Sequence, residues 1–144
     1  MSTELHDTAT VRLRKVHQRY TRGRRALVDV LSSAERPLSI PEIVSADRSV
    51  PQSSVYRNLT VLEQAGVVSK VQGGDDFSRF ELAEDLTSHH HHLVCVECGS
   101  VDDYTVPPRF EQTMAKTLDN VAAETGFRAQ FHRLDLVGVC ARCA

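Results

Sequence analysis

Cys95-x-x-Cys98 and Cys140-x-x-Cys143 contain all four cysteines of the chain, and they restrict its fold more than any other feature. Two such pairs supply four thiolates, the donor set of one tetrahedral structural Zn²⁺. A redox CxxC motif sits between a strand and a helix. Here Gly99 and the β-prone run SVDDYTV follow the first pair, which suits a metal knuckle. Closing the two pairs on one ion brings the region around residue 140 back against residue 95. Residues 89–144 therefore read as a small α/β lobe of 56 residues, too short to hold its shape without a staple or a partner chain.

Four consecutive histidines, His89 to His92, run directly into this knuckle with no spacer. In an extended strand alternate side chains face opposite ways. His89 and His91 then share one face, and His90 and His92 the other, so the run offers two half-sites back to back. Glu81 and Asp103 are placed to approach one face, Glu111 and His132 the other. The remainder of this half reads as two strands within residues 91–106. A helix opened by Pro107 and Pro108 follows, with Phe110, Met114, Leu118, Val121 and Ala122 on one face, and ends at Gly126. A long final strand over 127–139 completes a β-β-α-β order.

The N-terminal half has a different character. Residues 1–82 carry an excess of two basic residues, and 83–144 an excess of four acidic ones. Arg12, Arg14, Lys15, Arg19, Arg22, Arg24 and Arg25 fall within fourteen residues that contain no acid. Helical spacing predicts a helix over 22–34. A second starts after Ser39, with Pro41 and Glu42 in its first turn. A third runs from about Ser53 to Ala65 and is stopped by Gly66. In this third helix Val55, Leu59 and Leu62 form the buried stripe. Ser53, Tyr56, Arg57, Thr60 and Gln64 gather on the other side, a face suited to hydrogen-bonding base edges and phosphates. Two β-prone runs, 67–72 and 77–82, flank Gly73-Gly74 as a hairpin.

The fold class expected is thus α+β. A winged helix-turn-helix over 1–82 binds double-stranded DNA, the polar segment 83–88 is a hinge, and a metal-binding dimerisation lobe occupies 89–144. Phosphate contacts are expected from the basic run over 12–25, Arg22 and Arg24 among it, and base contacts from Ser53, Tyr56 and Arg57, with Ser54 also at the DNA. No apolar run is long enough for a membrane span and no secretory leader is visible, so a cytoplasmic, DNA-binding homodimer with reduced cysteines is the expectation.

The ordered succession SSVYRNLTVLEQAGVV, FEL, HHHHLVCVECG and GFRAQFHRLDLVGVCARC resembles the ferric uptake regulator family of metal-sensing repressors, from about residue 20 to 143. The resemblance implies metal-dependent binding to operator DNA and repression of metal-homeostasis genes. It assigns Cys95, Cys98, Cys140 and Cys143 to structural zinc. Glu81, His90, His92 and Asp103 become an inter-domain sensing site, and His89, His91, Glu111 and His132 an additional site in the dimerisation lobe. Pro37 stands where iron-type members often place a histidine. Ser69 and Ala83 stand where zinc-type members often place an aspartate and a cysteine. The regulatory metal is therefore left open between Zn(II) and Fe(II), with Mn(II), Ni(II) and peroxide-responsive chemistry as alternatives within the family. Outside it, a zinc hydrolase lacks an HExxH helix, and a metal buffer leaves the winged helix without a purpose.

Overall fold

The computed structural model describes residues 3–144. The N-terminal lobe is built from α1 (Thr3–Lys15), α2 (Arg22–Ser33), β1 (Leu38–Ser39), α3 (Ile40–Ala46), α4 (Gln52–Gln64), β2 (Val68–Gln72) and β3 (Ser78–Leu82). Leu27, Val28 and Leu31 of α2 bury against Ile43 of α3 and against Val55, Leu59 and Leu62 of α4. Val67, Val68, Phe80 and Leu82 of the hairpin close this core. Three helices and a hairpin are the winged helix-turn-helix expected from the sequence. Ser39 caps α3 in a reciprocal capping box with Glu42. Gly66, at φ 78°, supplies the left-handed turn that ends α4 and lets the Val67 amide donate to the Leu62 carbonyl.

Two elements were not read from the sequence. β1 pairs with β3 through Leu38↔Phe80, which turns the hairpin into a three-stranded sheet in the order β1-β3-β2. α1 buries His6, Ala9 and Leu13 on this lobe. Its His6 is held at both ring nitrogens, Nδ1 lying 2.6 Å from the Tyr20 hydroxyl and Nε2 2.9 Å from Asp29 of α2.

The C-terminal lobe contains β4 (His91–Cys95), β5 (Val101–Tyr104), α5 (Pro108–Thr125) and β6 (Asp135–Gly138). β4 is central, antiparallel to β5 and parallel to β6. The long final strand is corrected: only 135–138 is strand, because β6 has β4 as its partner over four residues and Phe127–Leu134 has no strand beside it. The helix opened by Pro108 and ended by Gly126 is as expected, yet α5 buries none of its residues within the single chain. Phe127 and Phe131 are each 72% exposed, and Leu136, Val137 and Val139 are exposed as well. An apolar helix face beside an uncovered sheet edge thus leaves a contiguous apolar surface exposed in the single chain.

The first part of the expected hinge is ordered. Glu84–Leu86 form a single 3₁₀ turn, Leu86 packs on the N-terminal core, and Asp85 is clasped by Arg12 of α1. The lobes also meet at the wing tip, where the Gly74 backbone lies so close to the Cys95 carbonyl that a Cβ would collide with it. Among the described residues, no helix is long and apolar enough to cross a membrane.

Candidate metal centres and DNA-reading face

All twelve residues assigned to metal fall into three groups, in the combinations expected. Within each group the donor atoms lie within 4.8 Å of one another.

The four cysteines are all free. Cys98 Sγ and Cys140 Sγ are 3.8 Å apart, far beyond a disulfide. That spacing equals the roughly 3.8 Å edge of a tetrahedron with metal–sulfur bonds of about 2.3 Å. The Cys140 amide donates to Cys95 Sγ at 3.3 Å. This bond and the Cys98 amide lower the Cys95 thiol, while the Ser100 hydroxyl and amide bring Cys98 down to about 6. Cys143 is pushed up to about 12 because its proton is shared with Cys140 and the neighbouring sulfurs. Four sulfurs this close cannot all ionise unless a cation stands among them. The donor set fits zinc.

The second group joins the lobes. Glu81 lies near the end of β3, opposite Ser69 in the hairpin register. Its Oε2 is 3.0 Å from His90 Nε2 and its Oε1 is 2.9 Å from His92 Nε2. Asp103 pairs with His92 across β4 and β5, which brings its carboxylate to 3.8 Å from His90 and 3.7 Å from His92. Burial opposes protonation of His90, but the Ser88 carbonyl, Glu81 and Asp103 outweigh it and raise the imidazole. Asp103 is raised by burial and by the Glu81 charge, against the pull of the two histidines. Two carboxylates converging on two imidazoles, half-buried, fit a divalent cation.

In the third group, three imidazoles aim Nε2 at one carboxylate. His89 and His132 lie 2.8 and 2.7 Å from Glu111 Oε1, and His91 lies 2.8 Å from Oε2. Hydrogen bonding from His91 pushes Glu111 down to about 2, with His132 and the charge of His89 in support, against desolvation. Three nitrogens and a carboxylate are a site for zinc, manganese or iron. The alternation read from the sequence holds, although regular strand begins only at His91. His89 and His90 extend the same zigzag ahead of it.

On α4, Tyr56 is 59% exposed, and Ser53 and Arg57 are exposed beside it. Ser54 is half-buried and donates its hydroxyl to the Pro51 carbonyl at 3.0 Å. Arg22 faces solvent. Arg24 does not stand free for a phosphate. It donates to Asn58 of α4 at 3.1 Å, to Gln18 at 3.2 Å and to the Arg19 carbonyl at 2.8 Å. The charge run alone could not separate these two arginines.

A winged-helix lobe bridged by a His/carboxylate cluster to a thiol-rich α/β lobe is the architecture of a metal-responsive transcription regulator. The chain belongs to the ferric uptake regulator family, whose sequence pattern it matches over residues 15–137. It is 32% identical over 137 residues to the peroxide operon regulator of Bacillus subtilis strain 168, covering 92% of this chain and 88% of that protein. It is 37% identical over 92 residues to the ferric uptake regulation protein of the same organism, a match spanning 63% of this chain and 58% of that relative. The structure of the ferric uptake regulator from Pseudomonas aeruginosa with manganese superimposes with a TM-score of 0.70 at 29% identity, covering 90% of this chain and 95% of that one.

Proposed function

We propose that this chain acts as a homodimeric repressor of metal-homeostasis genes, binding operator DNA when a divalent metal occupies the Glu81/His90/His92/Asp103 site. The observation that carries the reading is the position of Glu81. It belongs to the wing of the DNA-binding lobe (1–82), yet both of its oxygens face histidines of the dimerisation lobe (89–144). A bound cation supplies positive charge among two carboxylates and two imidazole nitrogens that come from different lobes. Glu81 then ties β3 to β4 across the hinge at 83–88, and the winged helix is held in one orientation.

In a dimer formed through α5, β6 and Phe127–Leu134, fixing both hinges fixes the separation of the two α4 helices. Successive major grooves require a separation of roughly 34 Å. Ser53, Tyr56 and Arg57 then read base edges, and Arg22 contributes to phosphate neutralisation. The four-cysteine group holds structural zinc and ties β6 to the end of β4. For the regulatory site, N/O donors without a thiolate favour Fe(II), Mn(II) or Zn(II) alike. A peroxide-responsive role is a second reading, supported by 32% identity to a relative named for that response.

The test is to enrich duplexes from a random pool with metal-loaded protein and measure their affinity with and without chelator. The reading expects an affinity change of about 5–150-fold across suitable metals. Equal affinity in both states contradicts it.

A further inference from the structure

Glu84 belongs to neither of the two His/carboxylate groups, yet it touches one of them. Its Oε1 lies 2.8 Å from His89 Nδ1, on the side of the ring opposite Nε2, which faces Glu111 at 2.8 Å. We infer that Glu84 is a positioning residue for the His89/His91/Glu111/His132 site and couples that site to the DNA-binding lobe. The inference rests on reading this cluster as a metal site.

A neutral imidazole has one N–H and one lone pair, and the partner of the first decides where the second points. An Nδ1–H donating to Glu84 leaves the Nε2 lone pair directed into the cluster, and a carboxylate behind a ligand histidine also raises its basicity. His89 needs such a partner. Its side chain is 36% exposed, and its ring meets His91 and His132 edge-on at centroid distances of 4.7 and 4.9 Å, contacts that do not select a tautomer.

The location of Glu84 supplies the coupling. Its 3₁₀ turn is held on the N-terminal lobe at three points. Arg12 clasps Asp85 and donates to the Gly66 carbonyl at 2.7 Å, Leu86 packs on the core, and the Ala83 amide donates to Val67 at 2.9 Å. Glu81 and Glu84, three residues apart, thus send one carboxylate to each face of the histidine run. Both metal clusters, not the inter-lobe one alone, are attached to the winged helix.

The experiment is a Co²⁺ titration of the full-length protein with structural zinc retained, followed by visible absorption against a competing chelator. His132→Ala and His92→Ala identify the signals of the two clusters. Glu84→Ala is expected to weaken the His132-dependent site by about 10–100-fold and leave the His92-dependent site within about twofold. Glu84→Gln, which keeps an acceptor for Nδ1–H, is expected to recover most of that loss. Arg12→Ala, which frees the turn without touching either cluster, is expected to weaken the same site by a smaller factor. Wild-type affinity in Glu84→Ala, or equal loss at both sites, overturns the inference. A wild-type protein with no His132-dependent signal removes instead the reading of the cluster as a metal site, and the inference with it.

Discussion

Glu81 and His92 lie on different lobes and meet at 2.9 Å, between Glu81 Oε1 and His92 Nε2. The contact joins the wing to the C-terminal lobe through one carboxylate. It also shows the histidine run divided by geometry, since the neighbouring His91 points instead at Glu111.

The four histidines are therefore expected to separate by parity. His90→Ala and His92→Ala should abolish metal-triggered DNA binding and leave the dimer and its structural zinc in place. His89→Ala and His91→Ala should group with Glu111→Ala and His132→Ala, lowering metal content in the dimerisation lobe or shifting the metal threshold. Metal stoichiometry and duplex affinity of the single variants decide this. Four interchangeable, mild effects would contradict the geometry.

Loss of one knuckle cysteine should cost more than one ligand. The four-cysteine group joins β4 to the segment after β6, and zinc binding in small lobes is folding free energy, commonly about 10 kcal/mol or more. Cys95→Ser should lose about one zinc per chain, and the dimer with it. Sedimentation and metal analysis check this, and a stable zinc-free dimer would refute it.

The two arginines assigned to phosphate should behave differently. Arg22→Ala should weaken all duplexes alike and reduce the salt slope by about one for each phosphate the side chain neutralises. Arg24 holds Asn58 of the reading helix, so Arg24→Ala should shift sequence preference as well as affinity and lower stability by about 1 kcal/mol. Binding curves over a salt series on selected and random duplexes separate the two. Identical behaviour would show Arg24 to be an ordinary phosphate ligand.

Acid should weaken the capping box of α3. Burial alone would raise Glu42, but hydrogen bonds from Arg36 and Ser39 outweigh it and hold the carboxyl below its usual range. A lowered folded-state value means the stabilisation is complete above the ordinary glutamate value of about 4.3 and disappears as pH falls through the lowered one. With both side chains partly exposed, it amounts to about 0.5–1 kcal/mol. Urea unfolding of wild type and Glu42→Gln should differ by that amount at pH 7 and converge as pH falls through the lowered folded-state value. A pH-independent difference would assign the effect to packing.

Much of this was legible in the sequence because the informative residues carry local rules. The CxxC pairs, the Ser39 cap, the Gly66 stop and the His alternation each follow from chemistry within a few positions. What was missed depends on distant partners. β1 is two residues long and exists through its pairing with β3. α1 carries Ala9 and Leu13 at i, i+4, a signal overshadowed by the charge run that overlaps it. Phe127–Leu134 has β-prone residues but no strand to pair with inside one chain. Arg24 and Glu84 could not be distinguished from solvated charges until Asn58 and His89 were seen beside them.

Whether metal acts on DNA binding through the carboxylate of the wing is decided by comparing wild type with Glu81→Ala. Affinity for the selected duplex is measured for wild type and Glu81→Ala, each with saturating metal and with chelator. Wild type is expected to gain affinity by about 5–150-fold on metal addition, and Glu81→Ala to keep the chelated affinity under both conditions, with dimer and structural zinc unchanged. A Glu81→Ala protein that still gains affinity on metal addition as wild type does would contradict it.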